Sequence, residues 1–346
     1  MSQFIKNLEI KNFKSIKHLQ LDCKRVNVLI GKPNVGKSNI LEALGLFSTS
    51  YTKAEKYMSE FVRYENIANL FFDNDYSKQI TISTDKFEST LNFSEEELAF
   101  SHTILDKKNS DKPNFEENSK NELIHFWLIQ KDGEKIKNSK NFTNKLDFIK
   151  KYEFANLVEF ERNGGFSLKP PFGSNLYTVL NNHKHLLDEI GQMLEPYGFD
   201  FVLDVQEQQF EIQKRVNRYV FKYPYISIAD TFRRLIFHLA AIESNKNSVL
   251  ILEEPEAHSY PPYIWQLANR IANDKDNQYF ISTHSPYIIE TLLQELKDNE
   301  INIWVTSFED YETKVNPLAP EALQDMYDMG ADTVFFNMDK FEKATI

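Results

Sequence analysis

The sequence is poor in cysteine, in glycine and in long apolar runs, and each shortage excludes a class of protein. With one cysteine, Cys23, among 346 residues, the chain has no internal disulfide, which favours a reducing, cytoplasmic setting. No stretch approaches the roughly 18 apolar residues of a membrane span, and the first residues lack an apolar signal segment, so we expect no membrane partner. The formal net charge of −11 argues against a globally basic nucleic-acid binder, although local basic patches can override it.

Two of only ten glycines bracket a loop between a predicted strand and a predicted helix. The apolar run at residues 26–30 favours a buried strand, and Ile40, Leu41, Leu44 and Phe47 follow a helical spacing. The loop between them, GKPNVGKS, matches the phosphate-binding pattern G-x-x-x-x-G-K-[ST]. The candidate ATP-binding residues in and next to this loop are Gly31, Lys32, Pro33, Asn34, Val35, Gly36, Lys37, Ser38 and Asn39.

The chemistry of phosphate binding explains this spacing. Backbone N–H groups of the loop and of the helix N-terminus cradle phosphate oxygens. Lys37 neutralises the β- and γ-phosphates, and the hydroxyl of Ser38 is a ligand for Mg²⁺. Asn34 suits a tight loop because asparagine tolerates a positive φ. The sequence therefore predicts that ATP and Mg²⁺ are the cofactors.

Two adjacent carboxylates follow a second apolar run, in SVLILEEPEAHSYPP. Glu253 and Glu254 end a predicted buried strand, where carboxylates are costly unless a cation meets them. In phosphate-loop sites a neighbouring strand ends in a carboxylate that holds Mg²⁺ through water. We therefore predict that Glu253 assists Mg²⁺ and that Glu254 polarises the attacking water. The cation that meets the pair is then Mg²⁺ with its nucleotide.

A histidine follows a third apolar run, in NQYFISTHSPYII. His284 stands just past the predicted strand end, where it can sense a γ-phosphate by hydrogen bonding. A lone histidine in such a place is usually structural. Its position in the chain after the phosphate loop and the carboxylates favours a functional role.

Together these motifs resemble the ATPase head of the SMC, RecF and OLD-like branch of the ABC superfamily, over residues 3–47 and about 223–290. The resemblance implies an α/β fold, a P-loop head with a mixed central sheet and flanking helices. It also implies that Glu254 is the catalytic base, that His284 is the switch, and that Lys14 approaches the nucleotide phosphates. Heads of this type dimerise around ATP, and those of bacterial antiphage defence are paired with a separate nuclease or toxin. We therefore expect a stand-alone ATPase head that forms a homodimer or a higher homo-oligomer and controls a separate effector protein.

Two departures from the family pattern are visible. The signature turn should precede the Glu253 strand, and the candidate stretch is SIADTFRRLIFHLAAI, with aspartate and threonine where glycine is usual. There Asp230 or Thr231 can cap the helix, and Thr231 and Arg233 would contact the γ-phosphate held by the opposite protomer. The glutamine loop that helps to place Mg²⁺ is expected at residues 66–75, which offer Asn69 but no glutamine.

We expect an N-terminal lobe at residues 1–94, an inserted α+β arm or lid at 95–222, and a C-terminal lobe at 223–346. Helical spacing over residues 176–195 and alternation over 199–223 predict helices and antiparallel strands inside the arm. No sustained heptads occur, which excludes the long coiled-coil arm of SMC proteins.

Two rival functions stay open. A RecF-like DNA-binding ATPase would need a basic surface, and QKRVNRYVFKY interleaves cations with aromatic residues in a way that suits nucleic acid. A non-hydrolysing ATP switch is favoured by the missing signature glycine. The acidic strand end at Glu309 and Asp310 superficially suits a nuclease, but no D-x-D follows. We interpret it as an edge strand followed by a helix in residues 317–330.

Overall fold

Two large β-sheets with one helix between them form the main body of the protein in a computed structural model. The structure describes residues 3–107, 122–138, 144–161, 164–318, 326, 330 and 332–338. The strands are β1 (Asn7–Phe13), β2 (Ile16–Asp22), β3 (Val26–Ile30), β4 (Ile80–Thr84), β5 (Phe87–Ser94), β6 (Ala99–Asp106), β7 (Glu122–Ile129), β8 (Lys135–Asn138), β9 (Ile149–Tyr152), β10 (Asp200–Asp204), β11 (Gln209–Val216), β12 (Tyr219–Pro224), β13 (Val249–Glu253), β14 (Gln278–Ser282), β15 (Ile301–Glu309) and β16 (Glu312–Pro317). The α-helices are α1 (Lys37–Gly45), α2 (Leu176–Asn182), α3 (Lys184–Leu194), α4 (Asp230–Glu243), α5 (Pro261–Asn273), α6 (Pro286–Glu295) and α7 (Asp332–Phe336). None of the helices within the described residues has the length and apolar character needed to span a bilayer.

A six-stranded sheet carries the three apolar runs that the sequence predicts as strands. Its order is β16-β15-β3-β14-β13-β9, and every neighbouring pair is parallel except β15 with β16. Strands β3 and β14 are buried along their whole length, as is typical of a parallel sheet covered on both faces. Because parallel strands end at the same edge of a sheet, the residues that follow β3, β13 and β14 meet there.

A seven-stranded antiparallel sheet, in the order β2-β1-β4-β5-β6-β7-β8, lies across α1 from the first. Strand β4 alternates buried and half-buried residues, the pattern of a sheet with one face on the core. Apolar side chains of this sheet, of α1 and of the six-stranded sheet form one continuous core. A second core joins the other face of the six-stranded sheet to α4, α5, α6, α2 and α3.

The stretch predicted as an inserted arm contributes to all three sheets. Strands β6, β7 and β8 extend the seven-stranded sheet from β5, and β9 pairs with β13 in the six-stranded sheet. Ladder hydrogen bonds therefore place residues 99–106, 122–129, 135–138 and 149–152 in the two large sheets rather than in a separate arm. The α+β unit occupies residues 176–224, where α2, α3 and the antiparallel sheet β10-β11-β12 confirm the expected helices and strands.

The C-terminal strand differs from the expectation of an edge strand. Strand β15 lies between β3 and β16, so β16 forms the edge of the sheet. An edge position cannot be predicted from β15 itself, since it depends on whether a later segment pairs with it. The helix expected at residues 317–330 lies largely outside the described residues.

Candidate nucleotide site

The phosphate loop leaves β3 and enters α1 through three residues in the left-handed region of backbone space. Gly31 has φ 150°, Asn34 has φ 62° and Gly36 has φ 101°. The sequence predicts a positive φ for Asn34, and the structure confirms it. No side chain caps the N-terminus of α1, whose N-cap residue is Gly36. The backbone N–H groups of this helix end are therefore available to an anion.

Lys37 is folded back over the loop that precedes it. Its Nζ donates to the carbonyl oxygens of Gly31 at 2.9 Å and Lys32 at 2.7 Å, and the side chain is buried. Burial lowers the pKa of Lys37, and the negative charges of Glu254 and Glu253 oppose that shift. The loop thus holds one buried cation that faces the carboxylates at the end of β13.

Glu254 and His284 lie side by side where β13 and β14 end. The Oε1 atom of Glu254 is 3.5 Å from Nε2 of His284. Glu254 has φ 44°, a left-handed backbone that is uncommon outside glycine and that clusters at functional sites. Its N–H donates to the carbonyl of Ser282, which fixes the turn. The pKa of His284 is lowered by burial and by the charge of Lys37, against the opposing effect of Glu254, so its imidazole is neutral at pH 7.

Glu253 is met by two cations of the chain that the sequence analysis missed. Arg63 Nη2 is 3.3 Å from its Oε1, and Lys151 Nζ is 3.9 Å from its Oε2. Both cations lie far from the motifs along the chain and belong to no recognisable pattern. Arg63 and Lys151 are therefore cations from the protein itself that meet Glu253, and the role of Mg²⁺ at Glu253 stays a prediction.

Glu42 is a second carboxylate that the motifs do not reveal. It lies on α1, is fully buried, and accepts hydrogen bonds from Lys14 and from Arg63, the latter at 2.6 Å. The contact holds Lys14 in the lining of the cavity described below, and its approach to nucleotide phosphates stays a prediction. The sequence feature that could have indicated Glu42 is its position four residues after Ser38, which places both side chains on the same face of the helix.

Glu256 turns away from the cavity. Its Oε1 accepts hydrogen bonds from the Thr283 hydroxyl at 2.6 Å and from the His284 N–H at 2.8 Å, and burial raises the pKa of its carboxyl. This third carboxylate of the EEPEAH stretch therefore fixes the turn on which His284 stands.

Lys37, Glu253, Glu254 and His284 line one cavity of about 970 Å³. Of the predicted ATP-binding residues, Gly31, Lys32 and Val35 lie outside its lining. The lining residues are Lys14, Pro33, Asn34, Gly36, Lys37, Ser38, Asn39, Arg63, Glu153, Phe154, Arg234, His238, Glu253, Glu254, Ala257 and His284. The cavity therefore brings the phosphate loop, both carboxylates and the histidine into one space.

The signature-like turn at the start of α4 departs from the predicted capping. Its N-cap residue is Ala229, and no side chain caps the helix. The Asp230 carboxylate instead accepts from Arg234 Nε at 2.6 Å and from Arg233 Nη2 at 3.4 Å. Thr231 Oγ1 accepts the Tyr260 N–H at 3.3 Å. Two arginines offset the charge of Asp230, the feature that would otherwise repel phosphate.

The expected glutamine loop does not reach the cavity. Asn69 Oδ1 accepts the Asn66 N–H at 2.9 Å, so this side chain closes a short helical turn instead. The residue that sheet topology brings beside Glu253 is Glu153, which follows β9 and lines the cavity. Glu153 could not be predicted from the sequence, because the two lysines in IKKY interrupt the apolar run by which a buried strand is recognised.

The order of the motifs and the parallel sheet that unites them define an ATPase head of the ABC type, of the SMC and RecF branch. Within that class the chain belongs to a family described as "AAA domain, putative AbiEii toxin, Type IV TA system", which matches residues 26–290. The predicted α/β fold with a mixed central sheet and flanking helices is confirmed by the sheet order and the helices described above.

Two curated proteins are similar in sequence. The uncharacterized protein MJECL10 of Methanocaldococcus jannaschii is 31% identical over 136 residues, which cover 35% of this chain and 61% of that protein. The DNA replication and repair protein RecF of Clostridioides difficile is 35% identical over 75 residues, 21% of this chain and 20% of RecF. The chain thus spans less than two thirds of the length of either relative.

Solved structures of SMC heads are also similar. A head bound to the C-winged helix domain of ScpA has a TM-score of 0.49 at 15% identity and covers 93% of this chain and 99% of its own. The head from Thermotoga maritima has a TM-score of 0.40 at 13% identity, over 91% of this chain and 99% of that one. The Pyrococcus furiosus head with an extended coiled coil is bound to the C-terminal domain of ScpA. It has a TM-score of 0.49 at 13% identity and covers 94% of this chain and 98% of that one.

Proposed function

We propose that the protein binds Mg-ATP in this cavity and hydrolyses it. The observation that carries the proposal is the meeting of Lys37, Glu254 and His284 around one cavity at the carboxyl edge of the parallel sheet. The donor set suits magnesium, because Ser38 and Glu253 offer the oxygen ligands that this ion prefers. Bound Mg²⁺ would supply neutralisation of the charge on the β- and γ-phosphates.

Each of these residues has its own role in the proposed hydrolysis of ATP. Lys37 and the N–H groups at the start of α1 hold the phosphates. Glu254 accepts a proton from the attacking water, and neutral His284 donates a hydrogen bond to the γ-phosphate. Ser38 and Glu253 would hold Mg²⁺, with Glu153 as a further carboxylate on the same side.

Direct nucleotide binding tests the proposal. Lys37→Ala should abolish binding of labelled Mg-ATP, because it removes the cation from the β- and γ-phosphates. Lys17→Ala, which removes one exposed cation of β2, is the matched control and should bind like wild type. Wild-type affinity in Lys37→Ala would contradict the site, and binding without single-turnover hydrolysis in the wild type would favour the rival, a non-hydrolysing switch.

We also propose that two copies dimerise around ATP. Asp230 and Thr231 are half-buried and lie outside the lining of their own cavity, which leaves them available to the nucleotide of a second copy. Arg233 is buried, and its Nη1 donates to Asn156 Oδ1 at 2.6 Å, so it supports the turn from within the chain. The mass measured by light scattering should then rise with a non-hydrolysable ATP analogue and not with ADP. An equal mass with both ligands would contradict a dimer that depends on the γ-phosphate.

The biological output we propose is control of a separate effector, a nuclease or toxin, in antiphage defence. The resemblance supports this role, and the family description links such domains to a type IV TA system. The neighbouring reading frame is the test, since a partner nuclease or toxin encoded there would support the role and a repair operon would count against it.

A nucleic-acid interface is the second candidate, and the β11–β12 hairpin favours it. Tyr219 is 71% exposed and Phe221 is 48% exposed. Two cations at its tip, Arg215 and Arg218, have no ion pair among the described residues, whereas Lys222 pairs with Glu211. Unpaired cations beside exposed rings suit a charged backbone with stacking bases. Combined Arg215→Glu and Arg218→Glu should weaken salt-sensitive DNA binding, and unchanged affinity would exclude this surface.

A further inference from the structure

The hairpin of β15 and β16 packs directly against the phosphate loop. A Cβ atom added to Gly31 would lie 2.2 Å from the carbonyl oxygen of Thr306, and one added to Gly36 would lie 2.1 Å from Oγ1 of Thr313. Both glycines also have positive φ. The two glycines of the motif are therefore required by this hairpin as well as by the backbone of the loop itself.

Thr313 ends a chain of hydrogen bonds that reaches the loop. Asn39 Nδ2 donates to Ser15 Oγ at 2.7 Å, Ser15 Oγ is 2.6 Å from Thr313 Oγ1, and Thr313 Oγ1 donates to the Val35 carbonyl at 2.9 Å. A hydroxyl has one proton, and the carbonyl only accepts, so Ser15 must donate to Thr313. The chain therefore runs in one direction, from Asn39 to the carbonyl of Val35. Thr313 is 1% exposed, so water does not replace these contacts.

The bond to Val35 determines the orientation of the next peptide group. Because the peptide bond is planar and trans, its C=O and N–H point to opposite sides. With its carbonyl held by Thr313, the Val35–Gly36 peptide turns the Gly36 N–H away from the hairpin, and Gly36 lines the nucleotide cavity. Glycine makes rotation of this peptide easy. Once released, the peptide can present a carbonyl oxygen to the phosphates, which would repel them.

We propose that Thr313 is a positioning residue that locks the Val35–Gly36 peptide in the orientation that binds phosphate. The proposal rests on the proposed function, because the anion is the phosphate of the nucleotide. Thr313 lies 278 residues from Val35 along the chain and belongs to none of the sequence motifs. The C-terminal hairpin is thus part of the phosphate-binding apparatus.

Two substitutions of one residue test the lock. Thr313→Val keeps the shape and removes the hydroxyl, and it should weaken binding of both Mg-ATP and Mg-ADP about tenfold, the effect of one buried hydrogen bond. Thr313→Ser restores the hydroxyl and should bind within about twofold of wild type. In steady-state hydrolysis, Thr313→Val should raise KM by more than it lowers kcat, since Glu254 and His284 are intact, and Thr313→Ser should restore KM. Equal affinity in Thr313→Val and wild type, by calorimetry, would overturn the proposal.

Ser15→Ala is the independent variant, because it keeps the bond of Thr313 to Val35 and removes the donor to Thr313 together with the acceptor of Asn39. It should weaken nucleotide binding about two- to threefold, with the melting temperature of the nucleotide-free protein close to wild type. If Thr313→Val fails to fold, no loss of affinity in Ser15→Ala contradicts the lock. A wild-type protein that binds no nucleotide would overturn the proposed function together with this proposal. Wild-type binding that persists in Thr313→Val overturns the role of Thr313 alone.

Discussion

Two clusters of polar side chains within the fold differ in what their groups face. The carboxylate edge, formed by Lys37, Glu253, Glu254 and His284, faces a cavity. The histidine cluster of the seven-stranded sheet, formed by Tyr57, Ser89, His102, His125 and Trp127, lies in the core beside α1.

The hydrogen bonds and charges of the two clusters distinguish a cluster that stabilises the fold from one that binds a ligand. His102 is fully buried and both its nitrogens have a partner, the Tyr57 hydroxyl at Nδ1 and the Ser89 hydroxyl at Nε2, 2.7 Å away. Burial, and then the charge of His125, lowers the pKa of His102 to about 3. Neutral groups that satisfy one another stabilise a fold. Charges around an open cavity, one of them on a left-handed backbone, indicate a site for a ligand.

The largest expected effect is at the carboxylate edge. Glu254→Gln keeps the shape of the side chain and loses its charge, so it should still bind Mg-ATP and hydrolyse it at least about a hundredfold more slowly. It should also accumulate as the ATP-bound dimer. Because Glu254 is half exposed, the free energy of unfolding should change little, which chemical denaturation can check.

Glu253→Gln is the matched variant next to it. It should weaken metal-dependent binding, because Glu253 is the predicted partner of Mg²⁺. Single-turnover hydrolysis and ATP affinity are measured for both variants. If Glu253→Gln stalls with ATP bound while Glu254→Gln turns over at the wild-type rate, the two roles are reversed.

A change in the histidine cluster should lower stability and leave ATP binding and hydrolysis unchanged. Tyr57→Phe removes a hydroxyl from a fully buried site and leaves Nδ1 of His102 without its partner. The free energy of unfolding should fall by about 1–3 kcal/mol, while ATP affinity and turnover per folded molecule stay at wild-type values. Urea denaturation together with the ATPase assay makes the comparison. A loss of turnover without a loss of stability would show that this cluster acts on the site.

The smallest expected effect is the pH dependence of stability that His102 adds. Its pKa is lowered in the folded protein to about 3, so below about pH 6.5 the unfolded chain binds a proton that the folded chain does not. Stability should therefore fall with decreasing pH, by up to about 1.4 kcal/mol per unit from this residue. His102→Gln cannot titrate, and its stability should depend less steeply on pH between 6.5 and 5.5. Equal slopes for variant and wild type, from denaturation at several pH values, would show that His102 is not the titrating group.

Contiguous features were predictable from the sequence. The phosphate loop is set by eight consecutive residues, and the positive φ of Asn34 follows from its own side chain. The buried strands β3, β13 and β14 were recognisable because both their faces are apolar. Strand β9 was not, because Lys150 and Lys151 are buried with partners supplied elsewhere, the side chain of Asn245 and the carbonyl of Phe61.

What the sequence by itself determined was therefore the class of chemistry: a loop for phosphate, two carboxylates at one strand end and a histidine at the next. Only the tertiary structure decided which other groups join them. Parallel pairing of β9 with β13 brings Glu153 to the cavity, and the hairpin of β15 and β16 brings Thr313 to Val35. Such contacts depend on strand order and register over hundreds of residues, and no local pattern encodes them, because each partner's own segment is compatible with many neighbours.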